Sequence, residues 1–269
     1  MLLTQDYHYQ NWDQGTLLFQ CVFQTVVTVF LLLVSAELWR KYRTRRTRVI
    51  YHLGMAFSLI GIGFLTGTLP IFIVLTFGDV PILNGIPVGE GMYLWWTNFS
   101  FAFVILANLF LFKFLQGLFD SPSQKFFYLF AVANIFLAIL DVYRGIFVVI
   151  PGVNALSVEM GMIFFFIELV LWGLIASKLF RSYRKIRPSI DRVSIITMAV
   201  GSVFMIVSLF MFALGNIIQG LVIDGLIYAT LLLAFYWLLI ILTVFFIYIG
   251  FIRPDWFKAL IRKISPELS

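Results

Sequence analysis

Charged side chains are scarce in this sequence. Asp, Glu, Lys and Arg together make up 12% of the 269 residues, whereas hydrophobic residues make up 62%. Soluble domains usually carry about 25% charged residues, which they need to cover their surface. The deficit therefore excludes a soluble globular protein and predicts an integral membrane protein whose surface lies mostly against lipid.

Cysteine and histidine are also nearly absent. The single cysteine, Cys21, excludes an internal disulfide, and the two histidines, His8 and His52, lie far apart in the sequence. The zinc hydrolases with seven membrane helices need several intramembrane histidines, and a haem held by two helices needs a pair. We therefore predict no metal and no cofactor.

Seven long apolar stretches account for most of the chain. Each is long enough to cross a bilayer and must be helical there, because backbone polar groups cannot stay unpaired in hydrocarbon. We predict an all-α bundle of seven transmembrane helices in a single membrane domain, 1–269. The stretches lie near 16–39, 49–77, 93–119, 125–150, 157–180, 193–217 and 225–252. Pro70 is expected to kink or end the second helix, and loop 78–92 to form a small lid or hairpin.

The last apolar stretch contains no lysine. A retinal pigment needs a lysine there for its Schiff base, so a covalent retinal protein is excluded. No nucleophile and base, and no pair of intramembrane aspartates, can be assembled from the spanning helices either. We therefore predict that the protein is not an enzyme.

Basic residues lie almost entirely on one side of the predicted bundle. Of the 19 Lys and Arg residues, all but Arg144 fall in the segments between helices 1 and 2, 3 and 4, and 5 and 6, at the helix ends that flank these segments, or in the tail. Such segments face the cytoplasm, so the N-terminus is predicted to lie outside and the C-terminus inside the cell membrane. The net charge of +6 thus indicates an anionic cytoplasmic leaflet as partner and no nucleic acid.

The cytoplasmic tail, 253–269, contains an amphipathic segment. Pro254 is suited to the first turn of a helix, after which five apolar residues share one face and three basic residues the other. The apolar residues are Trp256, Phe257, Leu260, Ile261 and Ile264, and the basic ones are Lys258, Arg262 and Lys263. We predict a short helix on the inner membrane surface, with a frayed basic anchor as the alternative. Contacts with lipid or a cytoplasmic partner are expected at Arg45, Arg46, Arg184, Lys185, Trp256 and Lys258.

An aspartate and an arginine lie inside the fourth apolar stretch. Asp141 and Arg144 are three residues apart, so they share a helical face, and Glu168 on helix 5 is expected at a similar depth. Charges within the membrane normally face the protein interior and are paired. The predicted site also includes polar residues from the same outer half of the bundle: Gln24, Asn98, Glu159 and Asn216. Two interpretations remain open, a purely structural ion-pair network and a binding site for a small ligand.

The segment 248-YIGFIRPDWFKALIRK-263 covers the end of the last helix and the tail that follows it. Its turn from Gly250 to Trp256 resembles the junction after the seven-helix sensor region of prokaryotic histidine kinases and related signalling proteins. The resemblance implies a sensor fold with seven transmembrane helices. Because no kinase module follows the junction in this chain, it also implies that the signal passes to a separate cytoplasmic protein.

Three functions are compatible with these features. The first is a sensor or receptor-like protein that binds a small ligand in the outer-half polar pocket and signals to a cytoplasmic partner. The second is a transporter or ion-conducting protein that uses Asp141 and Glu168 as coupling acids. The third is a structural subunit of a larger membrane complex. The sequence does not fix the oligomeric state.

Overall fold

The protein is almost entirely helical, as the sequence predicts. The computed structural model describes residues 14–77, 81–82, 86–119, 124–147, 156–187, 189–221 and 226–264. Side chains are described for 18–69, 71–73, 75–76, 99–119, 124–140, 142–143, 163–187, 189–215, 217–218 and 231–263. The helices are α1 (Gln14–Arg45), α2 (Arg48–Phe77), α3 (Val88–Phe119), α4 (Gln124–Phe147), α5 (Leu156–Lys185), α6 (Ile190–Leu221), α7 (Leu226–Ile252) and α8 (Asp255–Ile264).

Six helices in the described part of the chain are long and apolar enough to cross a membrane. They are Leu18–Arg45, Arg48–Ile73, Phe99–Phe119, Ile163–Lys185, Ile190–Gly215 and Leu231–Ile252, and a shorter apolar helix covers Gln124–Leu140. Many of their large hydrophobic side chains are exposed, as expected for surfaces that contact acyl chains. The chain is therefore a multi-pass membrane protein.

The second helix does not end at its proline. Proline lacks the backbone N–H that would bond to the carbonyl four residues earlier, which usually breaks or bends a helix. Here α2 continues past Pro70 to Phe77. Of the two expectations for Pro70, a kink or the end of the regular helix, the second was wrong and the first stays a prediction.

A short β-hairpin lies between α2 and α3. Strands β1 (Pro81–Ile82) and β2 (Ile86–Pro87) pair antiparallel, with Pro81 opposite Pro87 and Ile82 opposite Ile86. Proline cannot donate a ladder hydrogen bond, so the pairing cannot continue far. The folded-back conformation is one of the two that the sequence predicts for this loop.

The chain forms two compact units, Met1–Phe166 and Ile167–Ser269. In the first unit, α1 packs on α2, α2 on α3, and α3 on α4. Two α2 glycines with GxxxG spacing allow α3 to approach closely. A Cβ on Gly63 would lie 2.9 Å from the Ser100 carbonyl oxygen, and one on Gly67 would lie 3.1 Å from the Ser100 hydroxyl. These glycines thus serve packing within the chain.

In the second unit, α6 and α7 pack along most of their length. Gly201 on α6 faces Phe246 and Thr243 of α7, and Gly250 on α7 faces Ser194 and Met198 of α6. Small residues at both contacts let the two backbones approach closely. Such packing matters in a membrane, because the hydrophobic effect does not drive helices together there. This contact ends beside α8.

Helix α8 packs against the end of the α6–α7 pair. Phe257 and Ile261 are buried together with Ile249, against partly buried Ile190, Val193, Phe245 and Tyr248. The turn before α8 has Arg253 in a left-handed conformation, with φ of 53°. Phe257 N and Lys258 N both donate to the Pro254 carbonyl, so Pro254 precedes the first helical turn and does not lie inside it.

The predicted apolar face of α8 is divided in the structure. Phe257 and Ile261 are buried against the protein, whereas Trp256 is 52% and Leu260 47% exposed. The predicted helix is confirmed, but only part of its apolar face covers the protein. Trp256 and Leu260 remain exposed and can contact the membrane surface or another protein.

Candidate functional site

A polar stripe runs along α1 towards its N-terminal end. Gln20, Gln24 and Thr28 are each four residues apart, so they lie on one helical face, and all three are buried. Of the predicted site residues, Gln24 is one of two whose side chains the structure describes. It contacts α2, where Thr68 Oγ1 lies 3.3 Å from Gln24 Oε1.

The hydrogen of the Thr68 hydroxyl already has a shorter partner. Thr68 Oγ1 lies 2.7 Å from the Phe64 carbonyl oxygen, which cannot donate, so the single hydroxyl hydrogen belongs to that contact. The Gln24 contact is satisfied when its amide is turned so that the NH₂ group donates to Thr68 Oγ1. This arrangement joins α1 to α2 through a side-chain amide.

Two polar atoms of the stripe are left without a hydrogen bond. Gln20 Oε1 and Thr28 Oγ1 are fully buried and have no partner within the residues that the structure describes. A buried polar group without a partner costs about 1–3 kcal/mol. The α1 stripe is therefore partly satisfied and retains capacity to bind a further polar group.

Glu168 is the second predicted site residue whose side chain is described. Its side chain is only 2% exposed, and Trp172, one turn later on α5, donates its indole Nε1–H to Glu168 Oε2 over 3.0 Å. Tyr236 on α7 lies within electrostatic range of the same carboxyl group. An acid inside a membrane helix needs such donors, because hydrocarbon offers none.

The other predicted site residues have side chains outside the described part. Asp141 and Arg144 belong to α4, and Asn98, Glu159 and Asn216 belong to α3, α5 and α6. The predicted network of Asp141, Arg144 and Glu168 therefore stays a prediction.

Two polar clusters that the sequence did not single out fix helices to each other. Between α1 and α2, Trp39 Nε1 donates to Ser58 Oγ over 2.9 Å, and Ser35 Oγ lies 2.5 Å from the same atom. The Gly54 carbonyl accepts from Ser58 over 2.9 Å and lies 3.3 Å from Ser35 Oγ. Both hydroxyls and the indole have partners, so this cluster is a packing element.

The second cluster joins α3 to α4. Asn108 Nδ2 donates to Asn134 Oδ1 over 3.4 Å, and Asn134 Nδ2 donates to the Phe130 carbonyl over 2.8 Å. Both asparagines are essentially fully buried. The amide of Asn108 is thus engaged in a contact between helices.

The predicted contact residues near the basic helix ends are accessible. Arg45, Arg46, Arg184 and Lys185 are exposed. Trp256 stacks on Phe245 at 6.5 Å between ring centroids, and Lys258 forms an ion pair of 2.9 Å with Asp255. Arg253, two residues before α8, pairs with Asp191 in the first turn of α6.

No protein-family model matches the chain, and no curated protein or solved structure is significantly similar to it. The resemblance to histidine-kinase sensor regions thus rests on the residues from Gly250 to Trp256.

Proposed function

We propose that the protein is a seven-helix membrane sensor or receptor-like protein, with its N-terminus outside and its C-terminus in the cytoplasm. A small ligand binds among the outer polar residues, and a cytoplasmic protein reads the resulting movement of the basic helix ends. The seventh spanning helix in this proposal is α4, whose apolar described part covers Gln124–Leu140. The positive-inside rule supports this orientation.

The observation that carries the proposal is the buried carboxyl of Glu168 on α5. The same helix continues without interruption to Arg184 and Lys185, which are exposed. At 1.5 Å per residue, Glu168 and Arg184 are roughly 24 Å apart along the helix axis. A displacement of α5 at Glu168 would therefore be transmitted along one continuous helix to its basic C-terminal end, which a soluble partner can contact.

The proposed ligand is cationic. In the predicted network, two acids, Asp141 and Glu168, accompany a single arginine, Arg144, so the network has one carboxyl more than it needs for pairing. A ligand shifts a conformational equilibrium only if it binds one conformation better than the other. A cationic ligand that pairs with the excess carboxyl near Glu168 in one conformation only would bind that conformation better.

A fluorescent reporter on the inner side tests the proposal. The only cysteine is removed in Cys21→Ser, and Arg187→Cys is labelled in the full chain in lipid nanodiscs. Small organic cations are then screened for a saturable change in reporter fluorescence. We expect a responding compound whose effect is lost in Glu168→Gln and Asp141→Asn but retained in Trp256→Phe. A response that is unchanged in the first two variants would contradict the site.

A transporter is the second candidate, because an intramembrane acid such as Glu168 also suits ion coupling. It needs a polar path across the whole bilayer, and the inner polar residue Asn108 is engaged with Asn134. Uptake of a cation into proteoliposomes, driven by a proton or sodium gradient and abolished by Glu168→Gln, would favour transport over sensing.

A further inference from the structure

The turn between α1 and α2 holds an arginine in an unusual conformation. Only Arg46 and Thr47 separate the two helices, and Arg46 has a φ of 48°. Its backbone N–H donates to the Tyr42 carbonyl over 2.7 Å, which closes the end of α1. Glycine is the usual residue at such a left-handed position, because it has no Cβ. An arginine there is conformationally unfavourable, so its side chain is a candidate for a role of its own.

That arginine borders an open recess of about 350 Å³, lined by Tyr42, Arg43 and Arg46. Both arginines are exposed. Neither forms an ion pair with an acidic side chain within the described part of the chain, whereas nearby Arg40 is held by Glu37 at 2.8 Å. The recess thus presents two guanidinium groups whose charge is not neutralised by any acidic side chain that the structure describes.

The aromatic wall of the recess is fixed by packing. The Tyr42 ring meets the Trp39 ring edge-on at 5.8 Å and lies 5.5 Å from the Tyr51 ring of α2. Trp39 is held in turn by its hydrogen bond to Ser58. The position of Tyr42 is therefore set before anything binds, which lowers the entropic cost of binding.

We propose that this recess binds the phosphate group of an anionic phospholipid. Planar guanidinium groups match phosphate oxygens in pairs, and tyrosine rings favour the headgroup level of a bilayer. The spans Leu18–Arg45 and Arg48–Ile73 meet at this turn, so the recess lies at a membrane surface whichever way the chain is inserted. The inference does not rest on the sensor proposal and involves none of its ligand-binding residues.

Lipid competition tests the proposal. The full chain is purified in neutral detergent with equal amounts of phosphatidylglycerol and phosphatidylcholine, and bound lipids are counted by native mass spectrometry. We expect the parent protein to retain phosphatidylglycerol preferentially. The pair Arg43→Gln and Arg46→Gln should lower that preference about 25-fold, at about fivefold for each arginine.

Two further variants separate binding at the recess from other effects. Arg46→Gly relieves the left-handed backbone, so it should be at least as stable as the parent and still lose about fivefold in preference. Arg181→Gln with Arg187→Gln removes two exposed arginines elsewhere and should leave the preference within twofold. Equal losses in this control pair and in the Arg43–Arg46 pair would show general attraction to basic residues and overturn the assigned site.

Free phosphate has the same chemistry as the lipid headgroup, and a third measurement distinguishes them. Inorganic phosphate is added to the lipid-free protein, with sodium chloride at the same ionic strength as control. The proposal predicts that phosphate shifts the thermal midpoint of the parent and of the Arg43–Arg46 double variant equally. Stabilisation by phosphate that disappears in the double variant would assign the recess to a soluble phosphate compound and overturn the lipid assignment.

Discussion

Gly250 of α7 lies against the backbone of Ser194 on α6, and a Cβ built on Gly250 would come within 2.7 Å of the Ser194 carbonyl oxygen. The same Cβ would lie 2.6 Å from Cγ of Met198. A backbone oxygen cannot turn aside as a flexible side chain can. The distance between α6 and α7 beside α8 therefore depends on the absence of a side chain at position 250.

Replacing Gly250 with alanine should force α6 and α7 apart. We expect Gly250→Ala to lower the free energy of unfolding by about 1–3 kcal/mol, the usual cost of overpacking. Gly173→Ala is the matched control, because nothing lies within 4 Å of a Cβ at Gly173 on α5. Thermal unfolding in detergent should rank Gly250→Ala well below both the parent and Gly173→Ala, and equal midpoints would refute the close contact.

The division of the α8 apolar face can be tested with two single substitutions. Phe257→Ala removes a ring that is 7% exposed and should cost about 3–5 kcal/mol. Leu260 is 47% exposed, so Leu260→Ala should change stability by less than about 1 kcal/mol in detergent. Proteolysis of the tail would follow the same order. Similar losses in both variants would mean that α8 does not pack on α6 and α7 as described.

The Trp172 indole donates a hydrogen bond to the buried carboxyl group of Glu168. Trp172→Phe keeps the ring and removes the donor, and we expect it to lower stability by about 1–3 kcal/mol. In a Glu168→Leu background the same change should cost much less, because no carboxyl remains to lose its partner. A double-mutant cycle on thermal stability measures the difference. Equal costs in both backgrounds would rule out a stabilising contact between the two side chains.

The buried Gln20 acceptor of the α1 stripe, which has no described hydrogen-bond partner, leads us to expect that its removal does not destabilise the protein. Gln20→Leu removes a buried acceptor that has no partner in the described part of the chain, so stability should rise or stay constant. Gln24→Leu removes a side chain that contacts Thr68 and should lower stability by about 0.5–2 kcal/mol. The thermal midpoint of Gln24→Leu should therefore fall below that of the parent, whereas the midpoint of Gln20→Leu should not. A loss for Gln20→Leu as large as that for Gln24→Leu would show that the Gln20 amide is satisfied.

The proposed orientation is open to direct labelling. In the Cys21→Ser background, Thr44→Cys places a thiol at an exposed position before the α1–α2 turn, and Asn84→Cys places one between β1 and β2 in the sequence. Intact cells treated with a membrane-impermeant maleimide should label position 84 alone, with position 44 labelled only after permeabilisation. The reverse pattern would place the N-terminus inside.

The helical fold was predictable because the membrane leaves few alternatives. Apolar stretches mark the hydrocarbon thickness, and helices must form there. Helix ends were less predictable. The first stretch was placed at 16–39, yet α1 continues to Arg45, because helical backbone can extend into the headgroup region where basic side chains are solvated.

The polar contacts between helices were harder to foresee. Serine and threonine in membrane helices commonly bond to a carbonyl of their own helix, as Thr25 does with Cys21 and Thr197 with Val193. No spacing in the sequence distinguishes these from Ser35 and Ser58, which meet across two helices. Glu168 could be singled out because a lone acid in an apolar run is rare. Its donor, Trp172, resembles any other aromatic residue of the span.

The brevity of the turn at Arg46 and Thr47 limits how α1 and α2 can move. The three Cα–Cα steps from Arg45 to Arg48 span roughly 10–11 Å when extended, only slightly more than the usual 8–10 Å between the axes of packed helices. Little slack remains for one helix to slide past the other by a helical turn. The first two helices must therefore shift, tilt and enter the bilayer as a single hairpin.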